Sequence, residues 1–581
     1  MSEPNEHLSH IRHSLAHLLA ASVRELYPGA KNAIGPAIDD GFYQDFELPE
    51  AISDKDRGKI EQKMRQKIKH WTAFERREVT TEEAKKEFAW NEYKTELILE
   101  FSEEGKKLTF YTIGDFIDLC KGGHVDNPAH EIPKDAWKLD RIAGAYWRGD
   151  EKNKMLTRIY GLAFETKEEL VAYEKMRVEA EKRDHKKLGR ELDLFTFSDL
   201  VGGGLPLWTP KGTLLRNILD GFVWELREKA GYEKVEIPHI TKKDLYEKSG
   251  HWQKFKDELF RITTREKHEF AMKPMNCPHH TQIYARKTWS YRELPQRYAT
   301  TTMVYRDEQS GELSGLSRVR AITQDDAHVF CRPDQVKFEM AKIWNIIETF
   351  YGAVGFTLTP RLSLHDTKQM EKYLGTEEMW QTSESELREL VKERGATAAE
   401  AVGEAAFYGP KVDFMGKDSI GREWQVATIQ LDMNMPARFE LQYTNEKGDK
   451  ENVVMIHAAI MGSIERYLSI IIEHFAGAFP LWLSPVQVKI LPVGEKFLEY
   501  AKTVHNALIK AEIRSELDES NETLGKKVRG AKVEKVPYLI VVGEKEMTDK
   551  TVTLEGRVGS KDICTTEQAI SRLHTEIKNR K

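Results

Sequence analysis

The alternation of apolar and polar residues changes character several times along the chain. Apolar positions from His13 to Leu26 recur at helical spacing and predict a helix, whereas residues 42–46 predict a short strand. Between Thr166 and Leu194 the chain is highly charged and its apolar positions are sparse. Such a run is typical of a helical linker, so we predict an N-terminal part that mixes helices with short strands, followed by that linker.

Glycines and prolines punctuate residues 201–212, VGGGLPLWTPKG, and a large block of strands and helices follows them. The pattern predicts a helix at 214–230, a strand at 235–240, and two strands around a Gly/Ser loop within 300–326. Beyond Ser484 short strands alternate with helices, which indicates a smaller C-terminal α/β domain.

Composition places the chain among ordinary globular proteins, with 40% hydrophobic and 31% charged residues. A length of 581 residues requires several domains. The first residues lack the apolar segment of a signal peptide. The most apolar stretch, 456–483, contains Glu465, Arg466, Glu473 and His474, so it predicts a buried helix and not a membrane span. Four scattered cysteines do not form a disulfide framework, and we expect a cytoplasmic protein.

The net charge of −6 does not by itself indicate a nucleic-acid-binding protein. Binding to nucleic acid requires only local basic surface, however, and two basic runs exist, Lys182–Arg190 and Lys526–Lys535. Taken alone, each run is more often a solvated helix face than a nucleic-acid-binding surface.

Two groups of residues have the chemistry of metal ligands. Cys277, His328 and His457 lie far apart in the sequence, and each taken alone is more often a core residue than a zinc ligand. His13 and His17 share one helix face, and a C-x-x-x-H pair follows at Cys120 and His124. By residue type this second group also suits a tetrahedral zinc site. No phosphate-binding P-loop is present, so any nucleotide must be held otherwise.

The segments PMNCP, TQDDAH and VVMIHAAIMG together resemble threonyl-tRNA synthetases, from residue 10 onward. Residues 300–326 resemble class II motif 2, MGSIERYL resembles motif 3, and the helix before 235–240 resembles motif 1. The resemblance implies an α+β multidomain fold. Its parts would be an α+β editing domain at 1–165, a helical linker at 166–195, a class II catalytic domain with an antiparallel sheet at 196–483, and an α/β anticodon-binding domain at 484–581. Many family members carry a ubiquitin-like domain ahead of the editing domain, and this interpretation leaves no segment for one.

The resemblance also implies the function. Such an enzyme converts L-threonine and ATP to threonyl-adenylate and pyrophosphate, and then transfers threonine to the 3′ end of threonine tRNA. The family implies one zinc ion per subunit, held by Cys277, His328 and His457, and Mg²⁺ with ATP. It further implies a homodimer with Pro238 at the interface, no membrane association, and hydrolytic editing of mischarged seryl-tRNA.

The remaining site residues follow from the same resemblance, with Arg306 at the α-phosphate, Arg466 at the γ-phosphate, Glu308 at adenine and Asp326 at the threonine hydroxyl. The ATP and catalytic set is Arg306, Glu308, Arg318 and Arg466, with Arg306 and Glu308 expected on the outgoing strand of motif 2 and Arg318 in its loop or return strand. The substrate-binding set is Met275, Gln324, Asp326, Tyr408, Lys411, Gln425, Thr428, Gln430 and Ser463. The editing set, usually described without metal, is His13, His17, Lys94, Asp118, Cys120 and His124. The anticodon-binding set is Asn521, Arg529 and Glu546.

Four positions depart from the family pattern. His279 stands where a glycine is usual, which affects the local turn, and Ile322 replaces a phenylalanine that stacks on adenine. Thr523 and Glu555 occupy positions where a basic residue is common, which affects anticodon reading.

Discrimination between amino acids explains why two sites are expected. Valine has the shape of threonine but lacks the hydroxyl, so a metal that binds the amine and the hydroxyl rejects it. Serine keeps both groups and lacks one methyl, which is worth only about 1–3 kcal/mol, so a second hydrolytic site is needed. Two alternatives fit the sequence poorly. A non-catalytic RNA-binding regulator would have lost motif residues, which are all present here, and a free-standing editing hydrolase would not need residues 196–581.

Overall fold

The computed structural model describes residues 6–580 and divides into two compact units, one that ends at Val178 and one that begins at Glu179. The division falls within a helix, Lys167–Arg183, that lies in the charged run predicted as a linker. The domain boundaries at 165, 195 and 483 stay predictions.

The first unit combines a long helix with two antiparallel sheets. Its helices are α1 (Glu6–Leu26), α2 (Arg57–Lys67), α3 (Thr81–Glu87), α4 (Glu92–Glu103), α5 (Pro128–Glu131) and α6 (Lys167–Arg183). Its strands are β1 (Lys31–Asn32), β2 (Ala37–Ile38), β3 (Gly41–Glu47), β4 (Glu75–Val79), β5 (Leu108–Ile113), β6 (Phe116–Leu119), β7 (Trp137–Tyr146) and β8 (Met155–Ala163). The predicted helix and the predicted strand are therefore confirmed as parts of α1 and β3.

Helix α1 is amphipathic and packs on the sheet that contains β3, β8 and β7. Ile11, Leu15, Leu18 and Leu19 recur at helical spacing and are buried in the core of this unit. Burial of such side chains stabilises the helix by roughly 1.5–3 kcal/mol each. The helix therefore holds fixed positions for the two histidines that it also carries.

The second unit begins with the catalytic part of the sequence. Its strands up to residue 463 are β9 (Phe195–Thr196), β10 (Leu207–Trp208), β11 (Glu233–Lys234), β12 (Ile240–Lys242), β13 (Arg261–Thr263), β14 (Glu269–Met272), β15 (Trp289–Ser290), β16 (Gln296–Tyr305), β17 (Ala321–Cys331), β18 (Thr357–Leu364), β19 (Ala399–Val402), β20 (Lys411–Lys417), β21 (Glu423–Asp432), β22 (Gln442–Thr444), β23 (Lys450–Asn452) and β24 (Val454–Ser463). Its helices here are α7 (His185–Glu191), α8 (Pro210–Lys229), α9 (Lys243–Ser249), α10 (His251–Lys254), α11 (Cys277–Tyr284), α12 (Val336–Ala353), α13 (Glu377–Glu393), α14 (Asn434–Arg438) and α15 (Ile464–His474).

An eight-stranded sheet organises this part, in the order β11-β16-β17-β24-β21-β20-β18-β19. Its central pairs are all antiparallel, and only the two outermost pairs are parallel. Helices α12 and α15 cover one face and form the largest hydrophobic core with it. The opposite face is thereby left for polar chemistry, as the predicted antiparallel catalytic core requires.

Two local predictions are wrong. The strand predicted at 235–240 is irregular between the short strands β11 and β12. It contains Pro238, which has no N–H and cannot donate to a ladder. The apolar stretch 456–483 is not one buried helix, because its first part is strand β24 and only the next part is helix α15. Strand and buried helix have the same apolar composition, so hydrophobicity did not distinguish them. Within residues 6–580, no helix is both long enough and apolar enough to span a membrane.

The C-terminal part forms a separate five-stranded sheet in the order β26-β25-β27-β28-β29. Its elements are β25 (Val488–Pro492), α16 (Leu498–Lys510), β26 (Ser515–Leu517), α17 (Leu524–Val533), β27 (Tyr538–Val542), α18 (Glu544–Asp549), β28 (Val552–Gly556), β29 (Lys561–Cys564) and α19 (Thr566–Lys578). Strand β25 is parallel to β26 and β27, while β28 and β29 are antiparallel. The α/β prediction for this part is confirmed.

Candidate active sites

Four adjacent strands bring predicted site residues into one row across the polar face of the large sheet. His328 on β17 lies opposite His457 on β24, His457 lies opposite Gln430 on β21, and Gln430 lies opposite Lys411 on β20. Directly opposed residues project from the same face, so these four side chains are neighbours although they are scattered over the sequence. The next row contains Asp326 and Thr428 in the same way. The sheet register therefore assembles the predicted pocket.

Cys277, His328 and His457 converge at one end of this row. All three are buried, and their potential ligand atoms lie within 4.8 Å of one another. The Nε2 of His328 is 3.0 Å from the Nδ1 of His457. Two nitrogens that bind one tetrahedral zinc lie about 3.3 Å apart, so the observed spacing suits a shared cation. Three protein ligands would leave a position open for a substrate.

Three residues that the sequence did not single out support this group. The Nε2 of His457 lies 2.9 Å from an oxygen of Asp432, and the Nδ1 of His328 lies 2.8 Å from the Nδ1 of His280. The Nε2 of His251 is 3.7 Å from the sulfur of Cys277. Such contacts fix the orientation and tautomer of ligating imidazoles. His280 lies one helical turn after Cys277, which was the only available sequence signal.

The ionisation of these groups suits a bound cation. Burial raises the pKa of the Cys277 thiol well above its ordinary value and lowers the pKa of the His328 imidazole well below its own. The histidine is therefore neutral and can donate a lone pair. A buried thiolate requires a positive charge beside it, and a metal ion supplies one.

The pocket continues from His457 along the row. The ring of Tyr408 is buried and stacks on the His457 ring at a centroid distance of 4.9 Å, while its hydroxyl donates to Gln430 over 2.9 Å. The amine of Lys411 lies 2.8 Å from buried Asp413. This carboxylate, which the sequence did not single out, holds the lysine at the pocket.

The other predicted pocket residues lie around this row. Gln425 donates to Asp413 over 2.7 Å, and the buried hydroxyl of Thr428 has no hydrogen-bond partner in the described part of the chain. Asp326 lies 3.8 Å from the Nε2 of His328. Gln324 accepts a hydrogen bond of 3.3 Å from Asn276. Together they give the pocket several polar groups close to the three potential ligands.

Two arginines face this polar side without a neutralising partner. Arg306 contacts the sulfur of Met275 at 3.8 Å and the ring of Phe255, and its buried Nε has no hydrogen-bond partner among residues 6–580. Arg466 is the third residue of helix α15, whose first turn is capped by Ser463. Within those residues neither guanidinium forms an ion pair with a carboxylate. Unpaired guanidinium groups are suited to bind phosphate, and Arg466 also lies at the N-terminus of its helix.

The motif 2 hairpin is formed by β16 and β17, as predicted. Arg306 and Glu308 lie just beyond the end of β16 and not on that strand, which corrects their expected position. The carboxylate of Glu308 pairs with Arg318 in the loop at 2.7 Å. Ile322 lies two residues before Gln324 on β17 and therefore projects from the same face as the pocket.

His279 does not disturb the local turn. It lies inside helix α11, where its backbone needs no left-handed conformation, and its Nε2 lies 2.5 Å from the hydroxyl of Thr241. The glycine that the family has at this position is thus not required by the backbone of this chain.

The first unit contains the second cluster. His13 and His17 on α1 meet Cys120 and His124, and the potential ligand atoms of the four residues lie within 4.8 Å of one another. The sulfur of Cys120 is 3.4 Å from the Nε2 of His13 and 3.6 Å from the Nε2 of His124. The Nδ1 of His13 lies 3.1 Å from the carbonyl of Gly123, so it donates, and its Nε2 is left as an acceptor.

Burial determines the ionisation of this cluster. It lowers the pKa of His124 to about 3, lowers the pKa of His17 well below its ordinary value, and raises the pKa of the Cys120 thiol to about 11. At neutral pH the histidines are therefore uncharged and the thiol is protonated. In this state each imidazole has one unprotonated nitrogen that can accept a hydrogen bond.

A buried ion pair lies beside the histidines. Lys94 is 2.7 Å from Asp118, whose second oxygen accepts a hydrogen bond of 3.0 Å from Asn32 and lies 3.5 Å from the Nδ1 of His17. Asn32 was not singled out in the sequence, because a lone asparagine between turn residues carries no signal. The ring of Phe74 stacks on His124 at 4.1 Å and closes one side of the pocket.

The predicted anticodon residues have different surroundings. Asn521 and Arg529 are exposed, and Arg529 lies on helix α17. The carboxylate of Glu546 is already engaged, because one oxygen caps its own helix and the other accepts a threonine hydroxyl. Thr523 precedes helix α17 without a side-chain cap, and Glu555 pairs with two lysines.

The two basic runs are only partly solvated. Arg183 donates to the carbonyls that end helix α15 and to Ser419, so it anchors its segment. Lys527 is buried and donates to two backbone carbonyls, and Lys535 donates to the carbonyl of Ala476. The other basic residues of the runs, among them Lys526 and Lys532, are exposed.

Three families match successive parts of the chain. Residues 108–160 match the threonyl and alanyl tRNA synthetase second additional domain, residues 260–475 match the tRNA synthetase class II core domain (G, H, P, S and T), and residues 487–580 match an anticodon binding domain.

Whole-chain relatives agree with these matches. A threonine–tRNA ligase of Gloeobacter violaceus is 47% identical over 100% of this chain and 94% of its own length, and one of Cytophaga hutchinsonii is 48% identical over 95% of this chain and 85% of its own. The crystal structure of the RNA binding domain of threonyl-tRNA synthetase from Cryptosporidium parvum matches with a TM-score of 0.65 and 38% identity, covering 68% of this chain and 98% of that one. Prolyl-tRNA synthetase of Giardia lamblia shares the fold, with a TM-score of 0.56 at 16% identity over 70% of this chain and 80% of that one. With its class II core, editing-type domain and anticodon-binding domain, the chain belongs to the threonyl-tRNA synthetase family.

Proposed function

We propose that the residues assembled on the large sheet activate L-threonine with ATP and that Cys277, His328 and His457 hold one zinc ion there. The observation that carries the proposal is the convergence of these three residues with the row that ends at Lys411. A bound zinc ion would supply a Lewis acid that prefers an amine and a hydroxyl over a methyl group. Asp326, next to His328 on the same face, would accept the hydrogen of the threonine hydroxyl.

The arginines would act on ATP. Attack by the threonine carboxylate on the α-phosphorus needs alignment and neutralisation of phosphate charge more than proton transfer. Arg306 and Arg466 lack carboxylate partners in the described chain, so their charges remain available for the phosphates, to which Mg²⁺ bound with ATP would add further positive charge. Lys411, held by Asp413, would add a positive charge near the carboxylate and the phosphate.

Pyrophosphate exchange with threonine, valine and serine tests this proposal. We expect exchange with threonine and serine, and little with valine, because valine lacks the second ligand atom. Cys277→Ser should lose bound zinc and threonine-dependent exchange together, since an oxygen replaces a thiolate in a three-ligand site. Cys331→Ser is a matched control, because that thiol is buried elsewhere in the core. A zinc-free wild-type enzyme with full threonine activation would refute the proposal.

We also propose that the cluster in the first unit hydrolyses seryl-tRNA. The Nε2 of His13, which contacts the Cys120 thiol, is the acceptor that would take a proton from water, and the Lys94 ammonium is buried beside the site, where it can steady an oxyanion. A metal-bound form of the same four residues is the second possibility, since their donor atoms also fit a tetrahedral ion.

Charging with labelled serine distinguishes these roles from a structural one. The double variant His13→Ala and His17→Ala should charge threonine normally but accumulate seryl-tRNA, because adenylate formation does not use these residues. Zinc analysis of the wild-type protein decides between the two forms: one zinc per chain supports the metal-free pocket, and two support the metal-bound one. Equal rates of seryl-tRNA deacylation in wild type and variant would show that these histidines are structural.

We further propose a homodimer that acts in the cytoplasm and binds threonine tRNA through its C-terminal part. Phe197, Val201 and especially Leu200, which is 100% exposed, form an apolar segment near the start of the motif 1 region. Apolar groups in such number at one place favour an interface. Light scattering of the wild type and of Leu200→Glu tests the proposed homodimer. We expect a dimeric wild type and a weakened dimer in the variant, and a monomeric wild type would contradict the proposal.

A further inference from the structure

One histidine outside both candidate sites connects three elements of the catalytic part. His185 is the first residue of helix α7 and is only 4% exposed. Its Nδ1 lies 2.7 Å from an oxygen of Glu473, at the end of helix α15, and the same oxygen accepts its backbone N–H over 3.2 Å. Its Nε2 accepts a hydrogen bond of 3.1 Å from the backbone N–H of Leu316, in the motif 2 loop.

These contacts define a single tautomer. A backbone N–H can only donate, so the Nε2 of His185 must be unprotonated and its Nδ1 must carry the hydrogen that Glu473 accepts. The second oxygen of Glu473 pairs with Arg422 at 2.7 Å and keeps the carboxylate in place. Although Asp184 and Glu473 lie near His185, both imidazole nitrogens are used, so the group is not a cation site.

The loop is built to approach this imidazole closely. Gly315 has a φ of +50°, and a Cβ at this position would lie 2.4 Å from the Nε2 of His185. The next side chain, Leu316, is fully buried in the core. Ser317 then contacts Ser469 of helix α15 at 3.0 Å between hydroxyl oxygens. Arg318, which pairs with Glu308, follows immediately. The loop is therefore fixed directly before the residues assigned to ATP.

We infer that His185 is a positioning residue for ATP, which holds the motif 2 loop against the motif 3 helix so that Arg318 and Glu308 are in place before the nucleotide binds. The inference rests on the proposed role of this loop in ATP binding. Leu316 N–H has no other acceptor within hydrogen-bond distance in the described chain. Loss of the imidazole nitrogen would leave that buried donor unsatisfied and release the loop. ATP would then have to order the loop as it binds.

Steady-state pyrophosphate exchange provides the test, with ATP and threonine varied separately. His185→Asn keeps a donor near Glu473 but cannot reach Leu316, so we expect KM for ATP to rise about ten-fold, the effect of one unsatisfied buried N–H. KM for threonine should change less than two-fold by the same argument, because no pocket residue loses a contact. His185→Gln can place an oxygen near the former Nε2 and should recover most of the loss.

His365→Asn is the matched control. His365 is also buried and also presents its backbone N–H and its Nδ1, at 3.0 and 2.6 Å, to one glutamate oxygen, but its Nε2 has no partner in the described chain. This variant should lower thermal stability without a selective change in KM for ATP. Gly315→Ala repeats the test from the loop, and decides the matter if His185→Asn does not fold.

Arg306→Ala in the same assay distinguishes a failure of the positioning role of His185 from a failure of the proposed ATP site. If it impairs ATP use while His185→Asn and Gly315→Ala do not, the positioning role is refuted and the ATP site stands. If all three variants use ATP normally, the assignment of the ATP site fails as well. An equal rise in KM for both substrates in His185→Asn would show a general structural role.

Discussion

The carboxylate of Asp432 offers the sharpest test of the zinc assignment, because His457 is the one potential zinc ligand that it contacts in the described chain. It is fully buried; one oxygen lies 2.9 Å from the Nε2 of His457 and the other accepts the N–H groups of Asn434 and Met435 at 2.8 and 2.9 Å. In Asp432→Asn the amide oxygen can still accept hydrogen bonds from the N–H groups of Asn434 and Met435. The amide N–H₂ group then faces the Nε2 of His457. The imidazole must respond by moving its hydrogen to Nδ1, which is the nitrogen that faces His328.

The expected loss follows from that tautomer. A protonated Nδ1 cannot bind metal, so zinc affinity should fall by about 10–100-fold, or about 1.4–2.7 kcal/mol, as is typical when a supporting partner of a ligand is removed. We would measure zinc affinity by competition with a chelator and threonine-dependent exchange at fixed zinc. Asp418→Asn is the control, since it changes a buried turn carboxylate that does not contact Cys277, His328 or His457. Unchanged zinc affinity in Asp432→Asn would refute the tautomer argument.

Three further predictions concern other contacts. Ile322→Phe should strengthen ATP binding by about 0.5–1.5 kcal/mol through stacking on adenine, measured as KM for ATP, and an unchanged value would mean that this side chain does not face the base. Asn32→Ala should slow seryl-tRNA deacylation while threonine charging stays normal, because Asp118 loses its hydrogen bond of 3.0 Å. Burial lowers the pKa of His124 from 6.5 to about 3. As the pH falls below about 6.5, the unfolded chain therefore binds a proton at His124 before the folded chain does, and the first unit should lose stability. Thermal melting between about pH 7.5 and 5 should show this loss, and His124→Gln should reduce it.

The spacing of apolar residues predicted helices and strands correctly where a single pattern dominated a segment. Helix α1 and the hairpin of β16 and β17 were predicted because their apolar positions follow one period over many residues. Residues 456–463 were predicted as helix and form a strand, because most of their side chains are buried and the segment shows no alternation of polar and apolar residues. Residues 235–240 were predicted as a strand, because β-branched residues surround Pro238. The proline cannot donate a hydrogen bond to a neighbouring strand, so the segment is irregular.

The candidate sites were predictable only through family motifs. Spacing placed no constraint on Cys277, His328 and His457, which meet because of the register between β17 and β24 and the start of α11. The residues that support them, Asp432 and His280, carry no motif that the sequence alone reveals. Supporting contacts depend on packing between elements, and that information is absent from local composition.

Asp325 is a buried carboxylate on the face of the sheet opposite the pocket, and it explains the position of Arg466, the motif 3 arginine. Asp325 is fully buried, and its oxygens accept the N–H groups of Ile460 and Met461 at 2.8 and 3.0 Å, while Arg227 donates to it from helix α8. Burial raises the pKa of Asp325 to about 6, which shows that the ionised carboxylate is retained at a cost.

The free-energy cost of burying the Asp325 carboxylate is offset by its hydrogen bonds to a bulge in the sheet. Between Gln324 and Asp326 the register with β24 shifts, so that the three residues Gln324–Asp326 on β17 oppose the five residues Ala459–Ser463 on β24. The bulge leaves the N–H groups of Ile460 and Met461 outside the ladder, and the carboxylate of Asp325 satisfies them. Ser463 is thereby brought opposite Gln324, and helix α15 begins beside the pocket. An apolar side chain at position 325 would bury more hydrocarbon but would leave both N–H groups unsatisfied. The buried carboxylate therefore stabilises the bulge, and the bulge determines where helix α15 and Arg466 begin.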